Sequence, residues 1–428
     1  MRVQPKRAQL RASAVRWRLG VAASALIVAA AEPAFAQCNP ELDAQSGTAG
    51  ARLGVACAGT ETDQQGDGSN QFVDIAVSGA VTTTAAPAIW LRANNTVVVS
   101  GSVEGFYGVR LGDFSGTPSA SNVVTVAQGG RIDGISAAAI AGVGSSYLSN
   151  QLTLNGAVSG VDFFATGAIA DNRIAVGATG RVFVPATRFF DAISLSGSGV
   201  RNNTVAISGV VTSTGADPGA IPAGIVLANS GSNALDNNTV TVAAGGSVSS
   251  RDSAIVLSSF DLDEESFVVP AGEISRNTVI VNGAISSTAN NGVEIANEGT
   301  GGSAVVRDNR VTIAGSITTP DGGGVYVAGN GVRNNVVEAL AGATIAATAA
   351  PGVYFENRGD QTFTGNTVSV GAGATVSANA NAIYFIALPI VGTAAVPSAD
   401  IRSNAITVAG SAISTNSRAV QMFSNAAL

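Results

Sequence analysis

The densest group of chemically versatile side chains in this 428-residue chain is Asp261-Leu262-Asp263-Glu264-Glu265. Clustered carboxylates supply the hard oxygen ligands that Ca²⁺ takes, and a carboxylate pair is also what glycoside hydrolysis needs. With Phe260, Leu262, Phe267 and Val268 around them, the same acids suit the solvated tip of an ordinary loop. Other chemistry is excluded by composition. The chain has no His and its only Lys is Lys6, which removes imidazole acid–base work, His metal sites and Schiff-base lysines. An acid pair assembled from distant segments stays open through Asp171, Asp236 and Asp308, which each stand just before a recurring Asn. Turn chemistry explains that placement equally well.

Cys38 and Cys57 are the only cysteines. Their spacing is not a CxxC pattern and no further soft ligands accompany them, so a structural disulfide is the expectation. Closing such a loop stabilises by about 3 kcal/mol in the chain-entropy view.

These groups sit on a repeat. Asn203-Thr-Val-Ala-Ile-Ser-Gly-Val-Val, Asn277-Thr-Val-Ile-Val-Asn-Gly-Ala-Ile and Asn309-Arg-Val-Thr-Ile-Ala-Gly-Ser-Ile are three copies of one pattern. Its anchors are Asn70, Asn95, Asn122, Asn150, Asn172, Asn203, Asn238, Asn277, Asn309, Asn335, Asn366 and Asn404, spaced 22 to 39 residues apart. A third element recurs between them, as in Ala88-Ile-Trp-Leu91, Gly224-Ile-Val-Leu227 and Gly324-Val-Tyr-Val327. Short strands with period-2 alternation cannot bury an apolar face alone, but stacked turn on turn they build one continuous core. The expected fold is all-β: a parallel β-helix of three strands per coil and about twelve coils, roughly 50 Å long at a 4.8 Å rise. A right-handed coil is expected by analogy with three-stranded solenoids. The anchor asparagines form a side-chain amide ladder at a coil corner in this reading. Register is hardest to assign between residues 122 and 172, where the third strands are poor.

In the third strand the residue between the apolar positions points outward. Coil by coil it reads Trp90, Arg110, an irregular stretch, then Ser194, Val226, Val256, Glu294, Tyr326, Tyr354, Tyr384 and Gln421. Tyr326, Tyr354 and Tyr384 form an aromatic stripe suited to stacking sugar rings or a partner's apolar side chains. Equally, stacked rings stabilise neighbouring coils without any ligand.

Six cations, Arg2 to Arg18, precede an apolar run from Leu19 to Ala31, and Ala34-Phe35-Ala36 supplies a small-x-small cleavage site. Residues 1–36 therefore read as a signal peptide. Residues 37–69, rich in Gly and acids and carrying both cysteines, are expected to cap the solenoid, and residues 70–428 to form it. Loss of the leader removes six cations and one acid and takes the net charge from −7 to −12. No basic run remains, so nucleic acid is not an expected partner. No later stretch is long and apolar enough for a transmembrane helix.

An exported, Gly- and Asn-rich chain with an Asn-x-Val-x-Val-x-Gly repeat resembles the passenger region of autotransporters, over about residues 38–428. The resemblance implies passage through the periplasm and an outer-membrane β-barrel translocator, then display at the cell surface or release. It also implies adhesion or matrix building through contact with a glycan or a cell-surface protein, without catalysis. The segment after Asn404 has no room for a barrel, so three alternatives stand: a truncated reading frame of a longer autotransporter, a barrel on a separate chain, or a free-standing β-helix protein. Polysaccharide lyases and glycosidases on parallel β-helices are the rival class, with Ca²⁺ at Asp261, Asp263, Glu264 and Glu265 as the associated cofactor.

Overall fold

The computed structural model describes residues 38–39, 53–58, 60–62, 65–76, 78–112, 118–135, 137–185, 188, 190–214, 222–260, 272–298, 304–359, 361–388 and 401–424. Every regular element among them is a strand. The strands assemble into four sheets of 14, 13, 13 and 10 members, in which spatial neighbours are successive copies of the repeat. One turn of chain runs through Thr278–Val281, Ala284–Ser287, Val293–Asn297 and Val306–Arg307. The next strand, Arg310–Ile313, then lies parallel and in register on Thr278–Val281. This is a parallel β-solenoid with a single core along its axis.

Alternation in the sequence creates that core. In Thr278-Val279-Ile280-Val281 the second and fourth residues are fully buried, and Val240 and Val242 on one side and Val311 and Ile313 on the other continue the same columns. Each such aliphatic side chain contributes roughly 1.5–3 kcal/mol when withdrawn from water. The Gly that follows is fixed by close stacking: a Cβ on Gly101 would lie 2.1 Å from the Gly79 carbonyl oxygen.

From the coil that ends at Ser119–Ala120 onward, ten coils carry four strands where the sequence shows three. The fourth is a two-residue strand ahead of the anchor, from Ser119–Ala120 to Ile401–Arg402, and through most of the stack it turns an apolar residue inward, as at Val200, Leu235, Ile274, Val306, Val332 and Phe363. Two residues are too few for alternation to register as a pattern.

Between that strand and the anchor one residue adopts left-handed backbone, with φ of 57° at Asn94, 59° at Asp171, 55° at Asn202, 53° at Arg276 and 56° at Asp308. Asn70 belongs to this column, with φ 57°, which corrects its reading as an anchor. The buried residue at the anchor position of its coil is Gln71, whose backbone N–H donates to Asn95 Oδ1 at 2.8 Å.

The buried anchors run from Asn95 through Asn122, Asn150, Asn172, Asn203, Asn238, Asn277, Asn309, Asn335 and Asn366 to the more exposed Asn404. Asn203 shows the repeating bond set. Its backbone N–H and its Nδ2 both donate to Asn238 Oδ1 at 3.0 Å, and Nδ2 also donates to the Ile169 carbonyl of the preceding coil at 2.9 Å. Side-chain amides thus satisfy a buried corner where strand-to-strand backbone pairing is interrupted.

The solenoid begins before Asn70. Leu53–Cys57, Thr60–Glu61 and Gln65–Gly68, expected within a cap, pair in parallel with Gln71–Ile75, Ala80–Thr82 and Ile89–Leu91. Cys38–Asn39 pairs antiparallel with Leu53–Cys57, setting Cys38 opposite Cys57. The proposed signal peptide, residues 1–36, lies outside the described residues.

The obscure region between 122 and 172 follows the same register, with Ile140–Gly144 paired to Val161–Ala165. Its irregularity has a steric cause: Gly142 faces the buried Tyr147, and a Cβ there would come within 2.7 Å of that ring. Tyr147 in turn stacks on Phe163 at 5.2 Å between centroids. No helix among the described residues is long and apolar enough to cross a membrane.

Candidate functional site

In-register pairing of the third strands aligns Glu294, Tyr326, Tyr354, Tyr384 and Gln421 in one outward column. Ring centroids lie 5.1 Å apart for Tyr326–Tyr354 and 5.4 Å for Tyr354–Tyr384, the latter pair within 9° of coplanar. Further up, Ala141 and Asp162 fill the positions between Arg110 and Ser194 that the sequence leaves irregular.

Outward-facing does not mean accessible here. Tyr326 is 7% exposed and Glu294 2%, whereas Tyr354 and Tyr384 are half-buried. Tyr326 also packs with Ala296 and Ala328, whose small side chains leave room for the ring. Glu294 Oε2 accepts from Ser253 Oγ at 2.6 Å and from Asn291 Nδ2 at 3.1 Å, so its carboxylate is solvated by protein dipoles.

A polar cluster closes one side of the column. The Tyr326 hydroxyl donates to Glu356 Oε2, and Arg358 Nη2 donates to the Tyr326 oxygen. Arg358 Nε sits 3.1 Å from Glu356 Oε1, and its guanidinium lies 5.8 Å from the Tyr326 ring centroid. Burial pushes the Tyr326 phenol well above its ordinary value, with Arg358 opposing and Glu356 adding to the rise. Burial, reinforced by Glu356, also raises Tyr354 and, less strongly, Tyr384. These phenols are therefore neutral hydrogen-bond donors at ordinary pH.

At the other end of the column Arg110 lies 4.9 Å from the Trp90 ring centroid, and Trp90 Nε1 donates to the Gly112 carbonyl at 2.7 Å. Both partners hold the outer face of adjacent coils in place.

The acidic candidates Asp261, Asp263, Glu264 and Glu265 lie outside the described residues. Among the described residues no group of His, Cys, Asp and Glu is placed to hold a metal ion. Asp171 and Asp308 occupy the left-handed corner column, and Asp236 is engaged by the Arg276 guanidinium and by Ser275 Oγ at 2.9 Å. Turn and pairing roles thus account for all three.

A second site escapes the sequence reading. A cleft of about 360 Å³ on the outer face of the second-strand sheet is lined by Glu104, Arg131, Asp133, Ser159, Phe183 and Arg188, among others. Glu104 and Asp133 are in-register neighbours on consecutive coils, which places their backbones about 4.8 Å apart. Arg131 pairs with Asp133, while Arg188 Nη1 donates to the Ala137 carbonyl at 2.9 Å. Burial lowers the Arg188 pKa and Asp133 opposes that shift. The acids are separated by 29 positions, and only aligning Ser102-Val-Glu-Gly105 with Arg131-Ile-Asp-Gly134 brings them together.

No family model, curated protein or solved structure matches the chain.

Proposed function

We propose that this chain is an exported β-solenoid, surface-displayed or secreted, that works by contact rather than catalysis, as an adhesive or matrix component of the autotransporter-passenger kind. In this reading the coil is right-handed with one turn per repeat, a β-barrel partner carries it across the outer membrane, and Cys38 and Cys57 are cross-linked. The observation that carries the proposal is the ordered stack of Tyr354 and Tyr384 on the outer face, backed by the buried Tyr326. Half-exposed, neutral, rigidly held phenols present flat apolar area with a polar edge, the combination suited to a sugar ring or a protein side chain.

Glycan-array and cell-adhesion binding test it. Tyr354→Ala/Tyr384→Ala should lose roughly tenfold in retained binding, since each ring contact is worth about 0.5–1.5 kcal/mol. Retention equal to the parent, with an unaltered circular-dichroism spectrum, sinks the proposal.

The cleft favours a second reading, a glycosidase or lyase acting on polysaccharide. Carboxylates one coil apart approach the roughly 5–5.5 Å separation of retaining glycosidases. Release of reducing or unsaturated sugar, lost in Glu104→Gln and Asp133→Asn, supports that reading, and a flat assay across neutral and acidic polysaccharides rejects it.

A further inference from the structure

Neither contact nor hydrolysis uses a further property of the tyrosine column, its redox chemistry. Parallel in-register strands give Tyr354 and Tyr384 the same orientation on successive coils. Their rings are 9° from parallel with centroids 5.4 Å apart, so the two phenols are stacked neighbours on successive coils. Tyr384 is half-buried and reachable from solvent. The Glu356 carboxylate, on the same strand as Tyr354, accepts from the Tyr326 hydroxyl and lies near enough to the Tyr354 phenol to help raise its pKa. Oxidising a phenol at moderate potential requires that its proton leave with the electron, and a neighbouring carboxylate is a suitable acceptor.

We propose that Tyr354 and Tyr384 form an oxidative modification site, at which a peroxidase-type one-electron oxidant joins the two rings into a dityrosine that staples consecutive coils. Each phenol gives one electron to the oxidant. The Tyr354 proton passes to Glu356 and the Tyr384 proton to water. The two phenoxyl radicals form a carbon–carbon bond between ortho positions, and the ring hydrogens displaced at that bond move to the oxygens, restoring both hydroxyls. With a haem peroxidase and hydrogen peroxide the sum is one peroxide consumed and two waters formed per cross-link, and the protein loses two hydrogens.

Tyr326 is the built-in comparison. It stacks on Tyr354 at 5.1 Å but with a 30° tilt, is covered, and has its oxygen engaged by Arg358. Of the two stacked pairs only Tyr354–Tyr384 combines near-coplanar rings with access for an oxidant.

The test treats dilute full-length protein with a haem peroxidase and limiting hydrogen peroxide. The result expected is dityrosine fluorescence in a species that still migrates as a monomer on denaturing electrophoresis. Its mass falls by two hydrogens, and its digest yields one linked peptide pair containing Tyr354 and Tyr384. Tyr384→Phe should abolish the link, Tyr326→Phe should retain it, and Glu356→Gln should lower the initial rate severalfold. Circular dichroism of each variant guards against misfolding as the cause. Absence of the link in folded parent protein overturns the proposal. So does an equal yield from the urea-unfolded chain, links only between molecules, or a link that joins Tyr326 to Tyr354 instead.

Discussion

The Tyr326 hydroxyl donates to the Glu356 carboxylate one coil away, and Arg358 closes the triangle by reaching both. The bond ties two coils together beside the stacked tyrosine rings. Tyr326→Phe removes the donor without removing the ring. It should destabilise by about 1–3 kcal/mol, because a charged acceptor loses a buried partner. Chemical denaturation, followed by circular dichroism, measures the shift, and Tyr384→Phe should change it by less.

Raised phenol pKa values give a defined pH dependence. A group that is harder to ionise when folded contributes stability that is complete below its unfolded pKa, about 10 for Tyr, and lost as pH climbs beyond it toward the folded value. Burial raises Tyr326, Tyr354 and Tyr384. Melting temperature should hold through neutral pH and fall above about pH 10. Ultraviolet titration should show Tyr326 ionising only with unfolding.

The amide ladder makes a sharp comparison between neighbouring asparagines. Asn238→Ala strips the Oδ1 that takes two bonds from Asn203 and should cost about 1–3 kcal/mol. Asn237 lies one residue earlier, exposed and at φ 53°, where Asn237→Gly should be within a few tenths of a kcal/mol because glycine accepts that backbone freely. Equal losses at both positions would contradict the ladder.

Cys38 and Cys57 lie opposite one another across antiparallel strands, which brings their Cα atoms within the roughly 4.4–6.8 Å that a disulfide spans. Intact mass under non-reducing conditions should be two hydrogens lighter than after reduction. Cys57→Ser should lower the melting temperature by an amount matching about 3 kcal/mol.

The glycosidase reading is checked at Glu104 rather than in the acidic loop. Glu104→Gln should leave melting unchanged, since Glu104 is exposed, while abolishing any sugar release. Activity surviving in that variant and in Asp133→Asn would discard the cleft as a catalytic site.

The solenoid was legible because its core signal repeats: alternating Val and Ile after Asn, then Gly, states strand, corner and turn in eight residues or so, and repetition excludes a chance match. The tyrosine column followed from the same alignment. What stayed hidden is what repetition does not carry. The two-residue fourth strand has too little pattern, and the offset of Asn70 from Gln71 needs the left-handed φ to be seen. Burial of Tyr326 depends on neighbours far along the chain, and the Glu104–Asp133 pairing depends on a register that insertions of varying length obscure.

The ladder has a direction: from Asn95 to Asn366 each anchor donates its backbone N–H and one amide proton to the side-chain oxygen of the next anchor and accepts none from it. A cut made from one anchor to the next, such as residues 238–276, would therefore leave the flanking donor facing an identical acceptor. Length in such a molecule can change in whole rungs at little cost, so gain or loss of single repeats between related genes is the form of divergence this architecture most readily absorbs.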